Sequence, residues 1–108
     1  MLFTGDLDMI GENRVIETAR RYGISIDSDV LKVGHHGSKY STSEEFLDYV
    51  VPENSVISCS ESNTYGHPSE EVIERLGNSM SDIYITRDSG AVIVYTNGND
   101  YSVEAFCK

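Results

Sequence analysis

The stretch Lys32-Val33-Gly34-His35-His36-Gly37-Ser38 sets two adjacent imidazoles between two glycines and holds two of the three histidines in the chain. Imidazole ligates divalent cations and also carries protons near neutral pH. The flanking glycines let the backbone approach its surroundings without a Cβ. An earlier run, Met1-Leu2-Phe3-Thr4-Gly5-Asp6, likewise ends an apolar segment in a glycine and a carboxylate. The third histidine stands in Asn63-Thr64-Tyr65-Gly66-His67-Pro68. A carboxylate and imidazoles delivered from the ends of separate strands are the donors that a metal-assisted hydrolase uses. One histidine could simply decorate a polar turn, but a glycine-bracketed pair joined by a Gly-Asp favours the chemical reading. For His67 alone, entry to a following helix accounts for Gly-His-Pro equally well.

These residues need a frame that brings strand ends together. Asp29-Val30-Leu31-Lys32-Val33 reads as a strand ending at Gly34. Ahead of it, Val15, Ile16, Ala19 and Tyr22 recur at helical spacing, with Gly23 placed for a left-handed cap, which predicts a helix over Gly11 to Tyr22. Arg20-Arg21 suit the negative end of its dipole. Thr42-x-x-Glu45 fits a capping box for a second helix whose apolar face is Phe46, Leu47 and Val50 and which Pro52 ends. Ser55 to Cys59 is a third strand, and Ser60 to His67 a polar loop. Pro68-Ser69-Glu70-Glu71 opens a third helix with Val72, Ile73 and Leu76 inward and Gly77 as its stop. Ile83 to Thr86 and Ala91 to Tyr95 flank Asp88-Ser89-Gly90, and Asn97-Gly98 precedes Tyr101 to Phe106, so the chain is expected to close in a three-strand meander. The expectation is an α/β fold, a single domain over 1-108, with about three helices packed on a mixed sheet. In such sheets ligands gather beyond the carboxyl ends of strands, where Asp6, His35-His36, Asn63 and His67 would meet.

Bulk composition narrows the function. The 108 residues carry 18 acidic and 8 basic side chains, a formal charge of −10. Affinity for nucleic acid comes largely from Lys and Arg meeting phosphates, and Arg20-Arg21 is the one basic pair. A polyanionic substrate would therefore have to be gripped by metal charge and a few local donors. Cys59 and Cys107 lie far apart without C-x-x-C spacing, so neither a disulfide nor a thiolate metal site is expected. No apolar run approaches membrane-spanning length, and the first residues lack the basic and apolar regions of a signal peptide.

Thr4-Gly5-Asp6, the run from Asp29 to Ser38, and Asn63-x-Tyr65-Gly66-His67-Pro68 together resemble the C-terminal half of a metallo-β-lactamase-fold hydrolase. The branch most resembled includes the hydrolase domain of ComEC-type competence DNA-uptake channels, and the likeness runs from Leu2 to about Val94. It implies half of an αββα sandwich and a zinc or manganese site that is dinuclear in the intact family. By this resemblance Asp6 is the metal-bridging aspartate, His36 a metal ligand and His35 a phosphate contact or proton donor, although the two histidines could exchange roles. His67 would contact substrate or shape its loop. The implied substrate is a phosphodiester, with DNA as the family's case and the acidic charge set against it.

The family's main ligand motif, a His-x-[His/Asp]-x-Asp-His run, precedes the bridging aspartate, and no histidine precedes Asp6 here. The chain is thus expected to bind metal weakly and to catalyse poorly by itself. A non-catalytic fragment is the competing expectation, in which a homodimer or the missing N-terminal half covers the exposed sheet face. Location follows the same fork: cytoplasmic for a stand-alone protein, extracytoplasmic for a piece of a ComEC-type channel.

Overall fold

The computed structural model describes residues 1–59 and 66–105. Strand β1 (Leu2–Phe3) leads into helix α1 (Met9–Tyr22), strand β2 (Val30–Lys32), a tight turn at Gly34–Gly37 and helix α2 (Glu44–Val50). Strand β3 (Asn54–Ile57), helix α3 (Glu70–Asn78), strand β4 (Asp82–Ile85) and a one-turn helix α4 (Thr86–Ser89) follow, before strands β5 (Val92–Thr96) and β6 (Tyr101–Ala105).

Local chemistry accounts for the helix ends. The Asp8 carboxylate accepts the Gly11 N–H at 2.9 Å, so α1 starts two residues before Gly11. Gly23 closes it in the left-handed region, at φ 63° and ψ 34°. The buried stripe of α1 is Glu12, Ile16 and Ala19, whereas Tyr22, expected on the apolar face, is exposed. The cap of α2 is Ser43, whose hydroxyl accepts the Phe46 N–H at 3.1 Å, and not Thr42. Thr42 is buried with a positive φ of 58°, whereas a capping residue takes the extended backbone that Ser43 has, at φ −69° and ψ 158°, and this removes Thr42 from the capping position. Helix α3 starts at Ser69 as its cap and runs past Gly77 to Asn78, since a glycine in a last turn is tolerated.

The four strands β1-β2-β3-β4 form one sheet in that order, with every pair parallel. Each crossover carries one helix and steps the same way across the sheet. Right-handed connections then put α1, α2 and α3 on a single face. One buried cluster records this, uniting Ile16 of α1, Phe46, Leu47 and Val50 of α2, and Val72 and Leu76 of α3 with Leu31, Val33 and Ile57 of the sheet.

The expected three-strand meander does not form, and the main sheet is parallel rather than mixed. After β4, Thr86 to Ser89 take a helical turn that carries the chain out of the sheet plane. Thr86 is pinned there, its hydroxyl accepting the Cys59 N–H at 3.0 Å and donating to the Cys59 carbonyl at 3.1 Å. Strand β5 therefore pairs only with β6, in an antiparallel hairpin with Thr96 opposite Tyr101, as the Asn97-Gly98 signal required. The Tyr101 hydroxyl ties this hairpin to the main sheet, accepting from Asn54 Nδ2 at 2.9 Å and donating to Glu53 at 3.1 Å. Cys59 is partly buried against the core, while Phe106 and Cys107 lie outside the described residues.

Candidate hydrolytic site

Asp6 follows a tight turn at the end of β1, in which the Leu7 N–H meets the Thr4 carbonyl at 3.1 Å and Gly5 takes a positive φ of 58°. The Gly5 carbonyl accepts the His35 N–H at 2.8 Å, which joins the Asp6 loop to the histidine turn through the backbone. Gly34 is buried at that junction. A Cβ on it would lie 2.8 Å from Thr4 Oγ1 and 3.3 Å from the Gly5 carbonyl oxygen, so glycine lets the two loops meet without displacing the Thr4 hydroxyl.

His35 and His36 both adopt left-handed backbone, at φ 52° and 55°. Two successive non-glycine residues there cost about 1 kcal/mol or more each, a strain that surrounding bonds must hold. The Ser38 N–H closes the turn on the His35 carbonyl at 3.0 Å. His36 Nδ1 lies 2.7 Å from the Ser58 carbonyl oxygen at the end of β3. A carbonyl only accepts, so Nδ1 carries the proton, and the neutral ring keeps its lone pair on Nε2. Both histidines are exposed.

The third loop docks on the same turn. The Gly37 carbonyl accepts the Ser69 N–H at 2.9 Å, and a Cβ on Gly37 would fall 2.7 Å from Pro68 Cβ. Gly37 also has φ +82°, so the second glycine of the motif is required by both conformation and contact. The His67–Pro68 peptide bond is cis. The rings of His35 and His67 stand edge to face, with centroids 6.0 Å apart. Desolvation, and then the neighbouring His35 and His36, hold the His67 imidazole below the ordinary histidine value.

The loops that carry Asp6, His35-His36 and His67 thus adjoin one another through backbone bonds, Gly5 to His35 and Gly37 to Ser69. Asn63 lies outside the described residues. A cavity of about 510 Å³ opens beside His35 and His67, lined also by Ser38, Lys39, Tyr40, Gly66, Ser69, Glu70 and Glu71. Asp6 and His36 are not in its lining.

Four residues of this region carry no motif and escaped the sequence reading. Glu12 accepts the N–H groups of Thr42 and of Ser43, the latter at 2.9 Å, and Arg75 Nη2 donates to the Lys39 and Ser41 carbonyls at 3.1 and 3.4 Å. Lys39 and Tyr40 sit on the segment so held. Glu12 was detectable, because it falls in register with Ile16 and Ala19 on the buried stripe. Lys39, Tyr40 and Arg75 carry no comparable periodic signal.

The donor set fits a divalent cation in part. A metal-bound imidazole ordinarily donates its other N–H to a carbonyl or carboxylate, which is the arrangement of His36 with Ser58. The Asp6 carboxylate stands on the adjoining loop. Among the described residues, however, no group of three or more His, Cys, Asp or Glu side chains converges into a cage.

No protein-family model matches this chain, and no solved structure does. Three curated proteins do. The chain is 38% identical over 91 residues to ComE operon protein 3 of Bacillus subtilis (strain 168), a match covering 84% of this chain and 11% of that protein. It is 41% identical over 92 residues to Competence protein ComA of Neisseria gonorrhoeae, covering 85% of this chain and 13% of that one. It is 39% identical over 94 residues to Recombination protein 2 of Haemophilus influenzae, covering 87% and 11%. Over most of its length, then, this chain is homologous to a short segment of these three proteins, and it spans little more than a tenth of the length of each.

Proposed function

We propose that this chain is the C-terminal part of a metal-dependent hydrolase domain that acts on phosphodiesters, with DNA handled during competence as its substrate. The relatives support the competence link, since one of them is named for competence and another for recombination. The parallel sheet with helices on one face suits half of an αββα sandwich.

The observation that carries the proposal is the His36 Nδ1 contact with the Ser58 carbonyl, which keeps Nε2 available as a ligand. Asp6 and His36 would hold zinc or manganese, and the described residues do not complete that ligand set. The remaining ligands would come from another part of a longer polypeptide, consistent with the small share of each relative that the chain spans. Such an ion, when bound, supplies Lewis acidity toward a phosphoryl oxygen. His35 and His67 do the work at the cavity. A His67 held neutral at pH 7 has one N–H and one lone pair, so it can donate to a phosphoryl oxygen or pass a proton to a leaving oxygen. His35, which lines the same cavity, orients the same phosphate.

Manganese titration of the pure chain, followed by paramagnetic broadening of amide signals, tests the assignment. Broadening should start at Asp6 and His36 and vanish in Asp6→Ala and His36→Ala, while a chromogenic phosphodiester turns over barely above background. Broadening centred elsewhere, or turnover that survives both substitutions, would overturn it.

A second reading has its own observation. Phe3 is 69% exposed and pairs in register with Lys32, on the sheet face that the helices leave uncovered. A chain whose role is association, as a homodimer or as the complement of a missing N-terminal half, would bury that ring. A clean monomer at high concentration in size-exclusion chromatography with light scattering would remove this reading in its homodimer form.

A further inference from the structure

We propose that Tyr40 and Lys39 form a nucleotide-positioning lip on the His35–His67 cavity, Tyr40 stacking on a base of a single-stranded nucleic acid while Lys39 meets the neighbouring phosphate. This deepens the phosphodiesterase reading and rests on it.

Tyr40 is 67% exposed, and Lys39 is exposed beside it, yet both line the cavity. A large aromatic left in solvent is ordinarily free to move. Here its backbone is clamped from three directions: the Met9 N–H donates to the Tyr40 carbonyl at 2.8 Å, the Tyr40 N–H to Ser38 Oγ at 3.2 Å, and Arg75 to the Lys39 carbonyl at 3.1 Å. Exposed side chains on an immobilised backbone are preorganised for a ligand, because little ordering entropy remains to be lost on binding. Lys39 Nζ lies 5.3 Å from the Tyr40 ring centroid, so cation and ring act as one unit. His35 and His67 line the same cavity with their rings edge to face, and would meet the phosphodiester that follows a stacked base.

Charge selects the form of the ligand. With a formal charge of −10, and with Glu70 and Glu71 lining the same cavity, no broad phosphate-tracking groove exists at this site. Affinity must come from base stacking plus a single cation. Only an unpaired base offers its face, so a single strand fits and a duplex does not.

The chain has no tryptophan, so Tyr40→Trp introduces a unique reporter at the lip. Without metal, oligothymidylate should quench this tryptophan, whereas an abasic oligomer of equal length and charge should not. Tyr40→Ala should weaken oligothymidylate binding about tenfold by anisotropy. The wild-type dependence of log affinity on log salt should be shallow, and Lys39→Gln should flatten it by about 0.7. Equal affinity of wild type and Tyr40→Ala, or equal binding of the abasic oligomer, would overturn the lip. Failure here leaves manganese broadening at Asp6 and His36 intact, and loss of that broadening leaves the quenching intact, so the two assignments fail separately.

Discussion

Glu12 and Arg75, on helices α1 and α3, hold one backbone segment through its two polarities. The Glu12 carboxylate accepts the N–H groups of Thr42 and Ser43, and the Arg75 guanidinium donates to the carbonyls of Lys39 and Ser41. The segment leaves the histidine turn directly, so this pair of side chains couples two helices to the wall of the cavity. Glu12 is also the buried carboxylate on an otherwise apolar stripe, at 1% exposure.

Glu12→Ala should therefore leave two N–H groups unpaired, for a loss of about 3 kcal/mol in chemical denaturation. Burial raises the Glu12 carboxyl above the ordinary glutamate value, against the lowering effects of the Ser43 and Thr42 bonds and of Arg75. A carboxyl raised on folding binds its proton more tightly in the native state. Its contribution is then full in acid and is lost as pH rises through the raised value. Relative to Glu12→Gln, wild-type stability should fall with pH just above the ordinary glutamate range, and a rising difference would refute the assignment.

Gly37→Ala should cost about 2 kcal/mol or more, since it combines a positive φ with a Cβ placed against Pro68. Gly34→Ala should cost less, because the nearest obstacle is the Thr4 hydroxyl, the end of a side chain that can rotate. Urea midpoints of the two variants check the order.

His67 should titrate below free histidine in a proton NMR pH series. Substituting His35 or His36 by Asn should raise that midpoint only part of the way, because desolvation is the larger cause and persists. The depressed value also sets a sign for stability. The His67 contribution is present above the ordinary histidine range and is lost as pH falls through the lowered value.

Tyr101→Phe removes the hydroxyl that bridges Asn54 and Glu53, the link between the hairpin and the main sheet. A loss of about 1 kcal/mol is expected, with faster amide exchange in β5 and β6 than in β2 and β3. Uniform exchange across all four strands would show that the hairpin is held by other contacts.

Much of the frame was legible in the chain because it depends on neighbours in sequence. The turn of Gly23, the apolar faces of α2 and α3, the existence of β2 and the Asn97-Gly98 hairpin follow from local backbone preference and periodicity, although β2 is one residue shorter at each end than Asp29 to Val33. The expected meander was wrong because strand signals say nothing about partners. A hairpin at Asp88-Ser89-Gly90 and a helical turn at Thr86–Ser89 use the same polar residues, and the bonds from Thr86 to Cys59, distant in sequence, decided between them. The capping box failed for a similar reason, since the bonds from the distant Glu12 hold both Thr42 and Ser43, and of the two only Ser43 has the extended backbone a cap needs.

For the candidate site, sequence alone determined the chemistry on offer: a carboxylate, paired imidazoles and a third histidine, each after a strand and beside glycines. Side-chain type and local turn preference are properties of short segments, and they survive any packing. Only the tertiary structure decided that these loops touch, with Gly5 bonded to His35, Gly37 bonded to Ser69, and His36 turned onto the Ser58 carbonyl. It also decided which surface residues became walls of the cavity. Lys39 and Tyr40 owe their place to helices α1 and α3, whose contacts form only when the sheet orders its crossovers.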